Sequence, residues 1–302
     1  MRWDDFVARY LQDASGRGLS GTTRATYRRT LAHFAAYLAQ LGLMRVQDIL
    51  PEHLQRYRDE QAGHRTAASL KSELRLVLIA LRWAWRQGIL LLNPVQGFVL
   101  GRVEPRPAAQ FTPAQLAQLL EVRWEGSPQG LRDRAILELF YGTGLRLGEA
   151  AALDLADLDL GARQLHVRRS KNGESRLVPL GSRLCERLQV YLTQARPWLE
   201  SVPQNALWLS PRGRRLTSSP LGLVVVRAGR LVGLQVTAHD LRRAYATHLL
   251  AGGARLAELQ ALLGHRDPAT TGHYAEVSPK ALARELRRTH PRARRRPRKP
   301  RD

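Results

Sequence analysis

Cysteine occurs once in the 302 residues, at Cys185, so no disulfide can form within the chain and a paired Cys/His metal site is excluded. Long apolar runs are missing: no stretch approaches the roughly 20 residues that a helix needs to cross a bilayer. The opening Met1-Arg2-Trp3-Asp4-Asp5-Phe6 is acidic and unlike a signal peptide. These absences lead to the expectation of a cytoplasmic protein with no membrane partner. Acidic residues are few beside basic ones, 26 against 48, and the net charge of +22 calls for a polyanionic partner. Lysine is rarer still, with only Lys71, Lys171, Lys280 and Lys299. A codon bias explains arginine in place of lysine, but not the near two-to-one excess of bases over acids. Residues 292–302 hold seven Lys or Arg and one Asp, which leaves +16 of the charge on residues 1–291. Neither an internal repeat nor a nucleotide-binding glycine fingerprint is present.

What is present reads as a mainly α fold in two domains. Apolar residues at helical spacing predict helices over 3–13, 22–41, a stretch opening at Pro51, and 66–87. Four helices with short links imply an N-terminal helical bundle over 1–99. Arg24, Arg28, Arg29, Lys71, Arg75 and Arg82 supply it with a possible phosphate-facing surface. Residues 100–110 carry two prolines and no periodicity, and read as a linker. An α+β domain over 111–290 follows, opening with Thr112 as N-cap and Pro113 at the first helical position. The period switches over 163–180 to short alternating runs around Asn172-Gly173, a β-hairpin with Lys171 at its tip. Further helices are expected over 182–198 and 220–232, separated by a basic loop containing Arg214 and Arg215. Two domains joined by one strap are expected to close around a duplex as a clamp, and the basic tail 291–302 to be disordered and to add salt-sensitive affinity.

Three stretches carry the chemistry. Gly142-Thr143-Gly144 ends an apolar helix and permits a tight turn, which sets Arg146 at the start of the next helix. His239 and Arg242 lie at i and i+3 near the start of another helix, on one face, so an imidazole and a guanidinium converge on a small target. Gly264 caps the helix after that, placing His265 just beyond a helix end, and Tyr274 follows nine residues later. A zinc site made from His239, His248, His265 and His273 lacks tight ligand spacing.

The string from Tyr141 to Leu153, the His239–Arg242 motif, Leu262-Leu263-Gly264-His265 and Tyr274 resemble the catalytic domain of the tyrosine recombinase (phage integrase) family. The stretch from Glu276 to Ala293 is similar to the end of its Xer-type members. The N-terminal bundle is similar to the SAM-like core-binding domain of that family, and a chain that opens directly on it looks more like the Xer enzymes than like integrases with additional arm-site grips. The resemblance implies site-specific DNA strand transfer through a 3′-phosphotyrosine, with neither metal nor other cofactor. It assigns Arg146, Lys171, His239, Arg242, His265 and Tyr274 as the catalytic set. Arg146, Arg242 and His265 would face the phosphate oxygens, Tyr274 would attack, His239 would take its proton and Lys171 would protonate the leaving oxygen. Glu149 is expected to orient His239 or an arginine. The partners implied are double-stranded DNA and a homotetramer, or a heterotetramer with a paralogue, assembled through a last helix at about 279–289 that docks into a neighbour. Two other readings stand beside this one: a DNA-relaxing enzyme of the type IB kind with the same nicking chemistry, and a non-catalytic DNA-binding accessory protein. The complete residue set argues against the second, and the linker and docking helix against the first.

Overall fold

The computed structural model describes residues 1–101, 111–124, 126–168, 175–264 and 279–293. The chain splits into two compact units, Met1–Arg106 and Pro107–Asp302. The first is built from α1 (Trp3–Gly16), α2 (Gly21–Gln40), α3 (Pro51–Ala62) and α4 (Ala67–Arg86). Local chemistry sets the starts. The Ser20 hydroxyl accepts the Thr23 amide at 3.1 Å, the Thr66 hydroxyl accepts that of Ser69 at 3.3 Å, and Pro51 occupies a first-turn position that needs no amide donor. The core between these helices is aromatic. Trp3 meets Phe6 and Phe34 edge-on at 5.4 and 5.7 Å, and Tyr57 meets Phe34 and Tyr37 at 4.9 and 4.8 Å. Such pairs contribute about 0.5–1.5 kcal/mol each beyond simple burial. The buried Tyr57 hydroxyl donates to Glu73 at 2.5 Å, and Arg65 pairs with the same carboxylate, so the polar groups that tie α3 to α4 are satisfied.

The second unit is organised around α6 (Pro128–Thr143), whose residues from Ala135 to Thr143 are all buried. It packs against α5 (Pro113–Leu120), α8 (Ser182–Val190), α10 (Ser218–Leu231) and α11 (Ala238–Ala251). A helix covered on every side has no polar stripe to show, and α6 has none. The other elements are α7 (Leu147–Ala152), α9 (Arg196–Leu199), α12 (Leu256–Leu263), α13 (Pro279–Thr289) and an antiparallel sheet of β1 (Leu158–Asp159), β2 (Gln164–Val167) and β3 (Arg176–Pro179). The register Leu165↔Val178 and Val167↔Arg176 puts Leu165, Val167 and Val178 into the core. The two expected strands are therefore paired, with a third short strand beside them, while the expected turn at Asn172-Gly173 lies outside the described residues. The helix expected over 182–198 is broken by a π-turn at Tyr191–Ala195, where Pro197 removes an amide donor and crowds the carbonyl of Thr193. Among the described residues no helix is long and apolar enough to cross a membrane.

The last described segment lies on its own unit. Leu282 and Leu286 of α13 join a cluster with Tyr245, Leu249, Leu259, Leu262 and Leu263, so the apolar stripe expected to seek a neighbour is covered within this chain. Arg292, placed by sequence in a disordered tail, sends Nε and Nη2 to the two oxygens of buried Glu138 at 2.9 and 2.8 Å and reaches Glu121 at 3.0 Å. Residues 294–302, the rest of that tail, lie outside the described residues.

Candidate active site

Three helix ends build the site. α6 finishes at Gly144, whose φ of 62° is left-handed. A Cβ added there would sit 2.6 Å from Cδ1 of the fully buried Tyr245 and 3.0 Å from Leu263 Cδ2. Only glycine satisfies both demands, the backbone angle and the approach of Tyr245. Two residues on, Arg146 takes the N-cap position of α7, and Glu149 in the first turn accepts from both its backbone and its side chain. Its Oε2 accepts the Arg146 amide at 2.9 Å and its Oε1 the Arg146 Nη1 at 3.0 Å. Glu149 is 2% exposed in its side chain while Arg146 is 44% exposed, so the carboxylate anchors a guanidinium that can still present donors outward.

Arg242 sits in the second turn of α11, which Thr237 caps by accepting the Asp240 amide at 3.3 Å. Its Nη1 donates to the Gly144 carbonyl at 2.5 Å and its Nη2 to the Leu263 carbonyl at 2.8 Å. These are orphan carbonyls at the C-terminal ends of α6 and α12, where a cation is favoured by both unmet acceptors and the helix dipole. α12 ends at Gly264 in the same left-handed conformation, φ 63°. The neighbouring carbonyl of Leu262 accepts Arg176 Nε at 3.0 Å, while Arg176 Nη1 and Nη2 reach Oε1 and Oε2 of Glu149, each at 3.1 Å. Two guanidiniums thus bond one carboxylate, and a third, Arg242, interacts with it electrostatically.

The charges answer to this crowding. Burial lowers the Arg242 pKa, with repulsion from Arg146 adding, to about 10, which still leaves it cationic at neutral pH. Burial alone would raise Glu149; hydrogen bonds from Arg176, the Arg146 amide and the Arg146 side chain outweigh it and hold the carboxyl below its ordinary range. The cluster therefore holds a surplus of positive charge, from α7, α11 and β3, fixed by hydrogen bonds, the preorganised form that stabilises a developing oxyanion.

Of the six expected catalytic residues, the structure brings Arg146 and Arg242 together and leaves His239 exposed in the first turn of α11. His239 is exposed and Arg242 buried, so the two side chains do not share one environment although they lie on one side of α11. Lys171, His265 and Tyr274 lie outside the described residues. Glu149 orients an arginine, as one of its two expected roles had it. His248, considered for a metal site, is instead hydrogen-bonded to the Tyr141 hydroxyl at 2.9 Å. Among the candidate DNA contacts, Arg28, Arg75 and Arg214 are exposed and Lys71 is half-buried. Arg24 bonds the Ser15 hydroxyl. Arg215 is exposed too, but its donors go to Asp154 and the carbonyls of Ala151 and Leu153, so it braces the loop after α7. Arg176 was not foreseen. Strand alternation puts it on the same face as buried Val178, and a guanidinium on the apolar face of a strand must find a buried anion, which was the available signal.

Comparison with known proteins agrees with this arrangement. Residues 109–281 match the phage integrase family, and residues 7–88 match the phage integrase N-terminal SAM-like domain. The chain is 37% identical to tyrosine recombinase XerC of Pelotomaculum thermopropionicum over 70% of its length and 71% of the relative's. It is 33% identical to tyrosine recombinase XerD of Corynebacterium glutamicum over 92% of its length and 94% of the relative's. A crystal structure of a lambda integrase dimer bound to a COC′ core site shares the fold with a TM-score of 0.69 at 22% identity, covering 92% of this chain and 100% of that one. A lambda integrase tetramer bound to a Holliday junction does so at 0.69 and 20% identity, covering 92% and 81%. With the arginine cluster set between a SAM-like helical unit and its own terminal helix in chain order, and a family match over 109–281, this protein belongs to the phage integrase family, the tyrosine recombinases.

Proposed function

We propose that the protein is an Xer-like site-specific recombinase that cuts and rejoins duplex DNA through a 3′-phosphotyrosine at Tyr274, without metal or nucleotide. The observation that carries this reading is the Arg146–Glu149–Arg242 cluster, in which one half-exposed and one buried guanidinium are fixed by helix ends. Arg146 and Arg242, with His265, stabilise the charge that grows on the non-bridging oxygens during in-line attack. The Tyr274 oxygen forms a bond to phosphorus as the bond to the 5′ oxygen breaks. The phenol proton passes to His239, and Lys171 supplies a proton to the departing oxygen. Ionising an unassisted phenol at pH 7 costs about 4 kcal/mol, which the cations must largely offset. The phosphotyrosine keeps the energy of the cleaved bond, so a second 5′-hydroxyl completes exchange.

In this reading Arg28, Lys71, Arg75 and Arg214 contact backbone phosphate, with Arg24 and Arg215, which bond within the chain, supporting the surfaces that do so. The active assembly is a tetramer on two sites, of this chain alone or with a paralogue, joined by α13 moving from its own unit to a neighbour's, in the cytoplasm on the nucleoid. The work of such an enzyme is resolution of chromosome dimers or the related integration and excision of DNA. The test is a supercoiled plasmid carrying two copies of a site selected by binding, incubated with this chain alone and with a paralogue added. Recombination gives two circles of defined size, while a relaxing enzyme gives topoisomers of unchanged length and an accessory protein leaves the plasmid unaltered. Either of the last two outcomes sinks the reading.

A further inference from the structure

Arg176 has a donor committed on each of its three nitrogens. Nε serves the Leu262 carbonyl, both Nη atoms serve Glu149, and the side chain is 13% exposed. It is thereby unsuited to grip a phosphate. Yet it bonds the carboxylate that holds Arg146 and the carbonyl next to the one that holds Arg242. Glu149 takes two hydrogen bonds from Arg146 and two from Arg176. The carbonyls at the end of α12 are shared out in turn, Leu262 to Arg176 and Leu263 to Arg242. Gly264 allows this closeness, since a Cβ there would lie 2.9 Å from Arg176 Nη1.

We infer that Arg176 is a positioning residue for the phosphate-binding arginines: it neutralises Glu149 so that Arg146 keeps its outward donors, and it registers the end of α12 against Arg242. The physical ground is a division of charge. Glu149 is buried and needs compensation. With Arg176 in place that need is met from inside, by the strand. Without it the Arg146 guanidinium is the remaining cation bonded to Glu149, and it is drawn inward and partly neutralised at the point where the DNA phosphate requires it. A bidentate planar fork aimed at one carboxylate, with Nε left for a carbonyl, is a geometry that lysine cannot copy.

The inference rests on the reading of the site as a DNA-cleaving centre, and the experiment separates the two. Single-turnover cleavage is measured on a nicked suicide duplex for wild type, Arg176→Met, Arg176→Lys and Arg176→Met/Glu149→Gln, with DNA affinity and melting temperature recorded for each. Arg176→Met is expected to cleave roughly 100-fold more slowly, the scale of a mispositioned catalytic group, with affinity changed less than about threefold, and Arg176→Lys to lie between it and wild type. The double variant, which removes the buried anion as well, is expected to recover much of the rate. The decisive comparison repeats the set on a duplex whose scissile phosphate is a neutral methylphosphonate. A defect that acts through Arg146 on phosphate charge shrinks there, whereas a general loosening of the fold slows both substrates alike. If Arg176→Met fails to fold, Arg176→Lys carries the same comparison. Wild-type-like cleavage by the variants, or an equal defect on both substrates, overturns the positioning role. Absence of cleavage by wild type overturns the functional reading instead.

Discussion

Replacing Gly144 with alanine should damage stability and chemistry together. The left-handed φ of 62° costs an L-residue about 1–2 kcal/mol. The new methyl group falls 2.6 Å from Tyr245 Cδ1 and 3.0 Å from Leu263 Cδ2, and overpacking of this kind adds about 1–3 kcal/mol. Tyr245 is buried on all sides and cannot step aside freely. The sum is about 2–5 kcal/mol, or a melting point lower by roughly 5–15 °C for a unit of this size. Because the Gly144 carbonyl also holds Arg242, the shift that relieves the clash misplaces that guanidinium, and cleavage falls more than DNA binding does. Gly148→Ala is the matched control. It lies in α7, four residues away, with nothing within 4 Å of the added Cβ and no left-handed angle. That change should stabilise by about 0.5–1 kcal/mol. Urea titration and thermal melts of the full chain read both variants. A Gly144→Ala protein within about 0.5 kcal/mol of wild type would refute the account of this turn.

His290 and Arg292 give two further predictions. His290 is buried against the rings of Tyr141 and Tyr245, and burial, with His248 and Arg292 nearby, lowers its pKa from 6.5 to about 3. The unfolded chain therefore binds more protons than the folded one between those values. This contribution to stability is whole above about pH 6.5 and is lost as pH falls, by up to about 1.4 kcal/mol per unit. Urea titrations at pH 7.5 and 5.5 should show the loss, and His290→Phe should flatten that part of the profile; an unchanged slope would contradict the burial. Arg292→Met leaves Glu138 as a buried carboxylate without its bidentate partner, and should destabilise by about 3 kcal/mol. The companion Glu138→Gln/Arg292→Met should recover part of that loss, and purely additive effects would exclude the coupling.

The helices were legible because burying one side of each imposes a period on the residues. Pro51, Thr66 and Thr112 marked their starts, and Gly144 and Gly264 their ends. The place of Arg146 was legible as well, since Gly142-Thr143-Gly144 predicts a turn that sets the arginine at the start of the next helix. What could not be seen were pairings across distance. Arg176 and Glu149 are 27 residues apart, and Arg292 and Glu138 are 154 apart. No local pattern announces that such charges meet, so one residue passed as an ordinary strand position and the other as tail. β1 is two residues long and too short to show alternation. His239 and Arg242 were joined by their i, i+3 spacing and by the family resemblance; spacing places both on one side of α11 but does not tell which is buried and which exposed.

The central claim is covalent attack by Tyr274 in a site made of arginines. The most direct measurement is a denaturing gel of protein incubated with nicked suicide duplex in the presence of chelator, for wild type and Tyr274→Phe, with the adduct digested and the modified peptide located by mass spectrometry. The account predicts a chelator-resistant adduct whose phosphate is on Tyr274 and which is absent from the variant. An adduct that persists in Tyr274→Phe, or maps to another residue, would contradict it.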